Sequence, residues 1–209
     1  MIPNELHPTE IAGRRTLFVM AVAQEYGPHL RARFTPLLTG VGPIEAGIVM
    51  GAALQRLKDG AGLPDLVVSL GSAGSRRCAV GEVFQISHVA WRDVDASALG
   101  FVKGVTPFLD HPVSIPIDTP IDWPTATLST GADVVSGEGY AAIDADMVDM
   151  ESFAVLRACQ HFGVAMMGLR GVSDGPGELA GIHSWTELLE LLDARLAVAV
   201  DRLFETISD

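Results

Sequence analysis

The chain has 209 residues, 48% of them hydrophobic and 19% charged, with a formal net charge of −12. This length and apolar content suit one good-sized α/β domain with a large core and exclude an intrinsically disordered chain. So acidic a surface argues against nucleic acid and anionic membrane faces as partners and suits a small-molecule substrate.

Residues 1–15 read as a polar leader and 16–209 as a single domain. "GRRTLFVMAVAQE" has the outline of a signal peptide. Its apolar run is short, however, and Glu5 and Glu10 stand where that outline needs basic residues. The run "TLFVMAVA" reads instead as a buried first strand, and a cytoplasmic location is expected. "PHLRARFTPLLTG" is a link to "GVGPIEAGIVMGAALQRLKDG", a helix with Pro43 at its first position and Ile44, Ile48, Ala52 and Leu54 at helical spacing. "PDLVVSLGSAGS" is a strand running into a glycine turn, and "GEVFQISHVAW" is another strand. Residues 107–124 carry five prolines and predict ordered coil. "TATLSTGADVVSGEGY" holds one or two short strands. Helix Glu151–Phe162, strand "VAMMGLRGVSD", a glycine-rich loop and a long last helix complete the chain. In that last helix Trp185, Leu188, Leu189, Leu192, Leu196 and Val200 form an apolar stripe.

Alternating strands and helices predict an α/β fold with a mostly parallel sheet. Glu25, the Gly71–Gly74 turn, Ser136-Gly137, Glu151 and Asp174 all fall at predicted strand C-ends, where open α/β sheets bind ligands. Each carboxylate alone has a plain structural reading: Glu151 at a helix mouth suits the macrodipole, and Asp174-Gly175 suits a turn. The two cysteines, Cys78 and Cys159, lack metal-ligand spacing and read as reduced thiols. No phosphate loop, metal motif or "GxSxG" elbow is present, and Glu45 interrupts the dinucleotide pattern in "GVGPIEAG". What remains is carboxylate chemistry: protonating a leaving group, activating a water, gripping sugar hydroxyls. No cofactor and no metal are expected.

"LTGVGPIEAG", "VVSLGSAGS", "VGEVFQISHVAWRDVDASALGF", "VVSGEGY", "VDMES" and "LRGVSDG" occur in the order found in the nucleoside phosphorylase/nucleosidase superfamily. The pattern most resembles the 5'-methylthioadenosine/S-adenosylhomocysteine nucleosidases, from about Thr16 to the C-terminus. The resemblance implies a three-layer α/β/α fold with a central twisted mixed sheet, usually a homodimer, and hydrolysis of the N-glycosidic bond of 5'-substituted adenosines. It also implies residue roles. Glu151 accepts the ribose hydroxyls, with Met150 packed on the sugar and Asp149 beside them. Asp174 delivers a proton to purine N7, so its carboxyl must hold that proton when it acts. Tyr140 stacks on the base, and the backbone of Ala141 reads its edge. Ser72, Ala73 and Gly74 border base and sugar, and Glu25 activates the attacking water. Trp185 closes over the 5' end, and Leu99 is lent to the partner subunit's pocket.

The phosphorylase branch carries an arginine two residues before the "GS[AC]G" turn; here that position is Ser69, which favours water over phosphate as nucleophile. Other departures border the 5' end. Thirteen residues separate Glu25 from Thr39, where the family commonly inserts a β-hairpin, and residues 107–124 replace a longer segment. The register at Gln24-Glu25-Tyr26 is open by one residue. Phosphorolysis, a futalosine- or adenosylhopane-type substrate, and an inactive nucleoside-binding protein of the same fold are the alternatives.

Overall fold

The computed structural model describes residues 8–178 and 188–208, together with Leu6, Gly181 and Thr186. In chain order these form β1 (Thr9–Ile11), β2 (Arg14–Met20), α1 (Pro28–Arg31), β3 (Leu37–Leu38), α2 (Pro43–Asp59), β4 (Leu66–Ser75) and β5 (Val83–Trp91). There follow β6 (Ser114–Pro116), β7 (Thr125–Thr130), β8 (Met147–Asp149), α3 (Ser152–Phe162), β9 (Ala165–Asp174) and α4 (Leu189–Ser208).

The nine strands make one mixed sheet. β9 lies parallel to β4 on one side and antiparallel to β5 on the other. β5 continues to β7, β7 to β8, and β8 back to β4. Those five strands therefore close a ring and leave the longest strands, β4 and β9, with no free edge.

The three-layer α/β/α arrangement follows from the two-residue period of the strands. In β2, Leu17 and Val19 join the core cluster that holds α2 and α3, whereas Phe18 and Met20 join the one that holds α1 and α4. β4 divides likewise, Val67 to the first cluster and Leu66, Val68 and Leu70 to the second. Both faces are buried, so these strands read in the sequence as near-continuous apolar runs.

Four sequence expectations are corrected. Residues 9–15, read as part of a polar leader, form the β1–β2 hairpin, with Thr9 opposite Thr16. The α2 stripe is turned: Ala46, Val49, Met50, Ala53, Leu54 and Leu57 face the core, while Ile44 and Ile48 are 74% and 60% exposed. This helix is apolar over much of its circumference, so spacing alone does not say which face is inward. "GSAG" is not a turn but the continuation of β4, paired with β9 as far as Gly74. The helix after "VDM" begins at Ser152, because Met147–Asp149 is itself a strand paired to β4 and β7. Among the described residues no helix is long and apolar enough to cross a membrane.

Candidate active site

At the C-terminal ends of β2, β4, β7, β8 and β9 lies a cavity of about 470 Å³, within the usual range for a small-molecule site. Glu25, Glu151 and Asp174 all line it, with Ser72, Ala73, Gly74, Asp149 and Met150.

Glu25 ends a single 3-10 turn, Ala23–Glu25, that follows β2. It is buried, and its Oε1 accepts the Ser72 amide at 2.8 Å and the Ser72 hydroxyl at 2.5 Å. Tyr26 points elsewhere, its hydroxyl donating to the Phe34 carbonyl and its ring packed on Phe34. Of the two neighbours left open by the register, Glu25 faces the cavity and Tyr26 packs on Phe34. Gly71 permits this approach, since a Cβ there would lie 3.1 Å from Glu25 Oε2.

Glu151 is the N-terminal boundary residue of α3, but its side chain makes no capping hydrogen bond. Its Oε1 accepts the Gly42 amide at 2.8 Å, from the start of α2. Burial first and the Asp149 charge second push its carboxyl up to about 7, with Glu25 adding in the same direction, against the opposing Gly42 hydrogen bond and Arg170.

Asp149 caps α3 instead, its Oδ2 accepting the Ser152 amide at 3.0 Å. Oδ1 accepts the Thr130 hydroxyl at 2.7 Å, and Oδ2 also pairs with Arg170 Nη2 at 3.0 Å. Both oxygens are thus engaged, Oδ2 by the Ser152 amide and Arg170 and Oδ1 by Thr130. No motif in the sequence singles out Arg170. A single cation inside "MMGLRGVS" was the available signal, because a buried guanidinium requires a fixed anion.

Asp174 ends β9. Its Oδ1 accepts the Ser173 hydroxyl at 2.6 Å and its Oδ2 the Tyr140 hydroxyl at 3.3 Å. Tyr140, expected to stack on the base, does not line the cavity. The 3-10 turn Gly137–Ala142 rotates it inward against Val135, Ile143 and Val148, behind Asp174, and neither it nor Ala141 lines the cavity. Burial and the Asp174 charge hold its phenol far above the ordinary range. Val134 and Val135, in the loop that follows β7, line the cavity. Gly74 is required here: a Cβ would collide with the Tyr140 hydroxyl and lie 2.7 Å from Asp174 Oδ2. Leu99 sits on a 3-10 turn outside the lining and is 80% exposed. Trp185 lies outside the described residues.

Among the described lining residues the two arginines are largely engaged, although Arg92 Nε has no hydrogen-bond partner. Arg170 also donates to the Ser69 hydroxyl at 3.0 Å and the Ser69 carbonyl at 3.1 Å. Arg92 donates to the carbonyls of Ser129 (2.6 Å), Asp149 (3.0 Å) and Asp133 (2.6 Å), bracing the loop that carries Val134. Arg76 and Arg77 reach the carbonyls of Ile143 and Asp144, away from the lining.

Residues 30–207 match the model of the phosphorylase superfamily. A 5'-methylthioadenosine/S-adenosylhomocysteine nucleosidase of Actinobacillus succinogenes is 30% identical over 74% of this chain and 73% of its own. One from Exiguobacterium sp. is 28% identical over 81% and 80%. Among solved structures, the nucleosidase of Colwellia psychrerythraea in complex with adenine superposes with a TM-score of 0.79 at 20% identity, covering 95% of this chain and 98% of that one. A futalosine hydrolase mutant of Helicobacter pylori gives 0.76 at 17% identity, covering 91% and 98%.

Proposed function

The chain belongs to the phosphorylase superfamily, and from that membership we propose that it hydrolyses the N-glycosidic bond of 5'-substituted adenosines, 5'-methylthioadenosine and S-adenosylhomocysteine foremost. The products are adenine and the 5'-substituted ribose. The observation that carries the reading is the convergence of Glu25, Glu151 and Asp174 on one cavity.

The chemistry assigns each carboxylate a task. Bond cleavage leaves an oxocarbenium-like sugar and an anionic purine. Asp174 gives its proton to purine N7 and removes the negative charge from the leaving group. Glu151, as an anion, accepts the 2'- and 3'-hydroxyls and favours the developing positive charge. Glu25, held by Ser72, takes a proton from the water that attacks C1'. Val134 and Val135 form an aliphatic wall for the base, and Met150 packs on the sugar.

Water suits this site as nucleophile better than phosphate does. Arg170 is neutralised by Asp149, and Arg92 is occupied by three carbonyls. Among the described lining residues no other arginine or lysine is present, and the Glu25 carboxylate would repel an anion. Leu99, Val102 and Phe108 are 80%, 63% and 93% exposed; this apolar set supports a homodimer in which Leu99 reaches the partner's pocket. The experiment is adenine release from a panel of 5'-substituted adenosines, with and without phosphate. Adenine and a free pentose at a phosphate-independent rate are expected; a ribose-1-phosphate rising with phosphate concentration overturns the hydrolase reading.

A further inference from the structure

The segment that carries Glu25 is weakly held by its own backbone. The 3-10 turn closes on Glu25 N to Val22 O at 3.4 Å, long for an amide hydrogen bond, and Tyr26 N to Ala23 O at 3.2 Å, at the upper end of the range. Between Glu25 and Thr39 the only strand pairing is the two-residue β3 against β2. Ser72 holds the carboxylate itself and Tyr26 is tied to Phe34, but the start of α1 behind them needs an anchor of its own.

That anchor comes from the far end of the chain. Asp193, on α4, is buried in the protein interior. Its Oδ1 accepts the amides of Gly27 (3.0 Å) and Leu30 (3.1 Å), and its Oδ2 accepts that of His29 (2.8 Å). These amides are the unpaired donors at the start of α1, two to five residues past Glu25. Charge-assisted bonds of this kind are about twice as strong as neutral ones. Gly27 is fitted to the contact: a Cβ there would lie 2.5 Å from Asp193 Cγ. One turn of the same strap is tied again by Arg33, which pairs with Asp201 of α4 at 2.7 and 2.5 Å near the surface.

We propose that Asp193 is a positioning residue for Glu25: by clamping the first turn of α1 it holds the Glu25 carboxylate on Ser72 and on the attacking water. The inference rests on Glu25 being the group that activates water. It goes beyond stabilising the fold, because an ångström of drift at a reacting group costs on the order of 10²-fold in rate.

The test is a double-mutant cycle on the full chain, read as kcat and KM for 5'-methylthioadenosine, with Glu25→Gln, Asp193→Asn and the pair; a melt at the assay temperature corrects each rate for folded fraction. Asp193→Asn is expected to lower kcat by roughly 10- to 100-fold with KM changed less than about threefold. In the Glu25→Gln background it should cost less than about threefold more, because the two act as one unit. Asp193→Glu should restore part of the rate, and Asp201→Asn, which loosens only the surface tie, should stay near wild type. If Asp193→Asn does not fold, Gly27→Ala displaces the carboxylate from the other side and enters the same cycle. Full multiplication of the two single effects overturns the proposal, as does a rate loss equal to the loss of folded protein. Wild-type kcat in Asp193→Asn with an impaired Glu25→Gln overturns this inference alone; wild-type kcat in Glu25→Gln overturns the role of Glu25 and this inference with it.

Discussion

Arg170 and Asp149 form an ion pair beneath the cavity, Nη2 to Oδ2 at 3.0 Å, with side chains only 3% and 1% exposed. The pair joins the end of β8, just before Met150 and Glu151, to the middle of β9. Removing one partner strands the other's charge in the interior. Asp149→Asn is therefore expected to lose about 3–5 kcal/mol in urea denaturation. Asp149→Asn combined with Arg170→Met should recover much of that stability but not the activity. A loss below about 1 kcal/mol in the single variant would contradict the pairing.

The part of this site legible in the sequence was the part set by strand ends. Apolar runs located β2, β4 and β9, and chain direction then put Glu25, Gly71–Gly74 and Asp174 at one sheet edge. What the sequence hid depends on phase within short irregular segments. "GADVVSGEGY" has no period, so nothing local says that the turn at Gly137 sends Tyr140 inward and leaves Val134 and Val135 at the cavity. The glycines of "GSAG" look like turn formers in the sequence; they serve close approach, keeping Cβ atoms off Glu25 and Asp174 within a continuous strand. Asp193 was equally hidden, since its partners lie more than 160 residues away.

Glu151 predicts a pH dependence of two signs. Its carboxyl is raised from 4.5 to about 7 by burial and Asp149. The native state thus holds a proton that the unfolded chain has released between those values, and stability falls as pH rises through that window. In the proposed mechanism the anion binds the ribose, so kcat/KM should rise with pH and level off above about 7. Glu151→Gln is expected to flatten both slopes, gain on the order of 1–3 kcal/mol above pH 7, and lose most activity. An acidic limb with an unchanged midpoint in the variant assigns that titration to another group.

At Glu25 the geometry discriminates between neighbours. Glu25→Ala is expected to leave adenine binding within a few fold and remove turnover, whereas Tyr26→Phe removes only a hydroxyl that donates to the Phe34 carbonyl. Tyr26→Phe should cost roughly 1 kcal/mol of stability and little rate. Reversed effects in steady-state assays would sink the water-activating role of Glu25.

Gly74→Ala tests the contact between Tyr140 and Asp174. The added methyl would occupy the space of the Tyr140 hydroxyl and of Asp174 Oδ2. It is expected to lower kcat far more than Gly177→Ala, whose Cβ meets nothing within 4 Å. Equal rates in the two variants would mean that the close approach at Gly74 has no bearing on catalysis.

Asp174 and Glu151 divide one task if the proposed mechanism holds: Glu151 binds the sugar as an anion, and Asp174 meets the base as an acid. Asp174→Asn keeps the shape and a hydrogen bond to its neighbours but has no comparably acidic proton. It is expected to lose on the order of 10²–10⁴ in kcat, the usual scale of general acid catalysis, with substrate Kd changed far less. Ser173→Ala removes the 2.6 Å hydrogen bond to Oδ1 and should give a smaller loss of the same kind. The control is a nitrophenyl riboside, whose leaving group departs as a stable anion without protonation. Asp174→Asn should cleave it at close to the wild-type rate. Equal slowing of this substrate and of 5'-methylthioadenosine would show that Asp174 shapes the strand end and does not supply the proton.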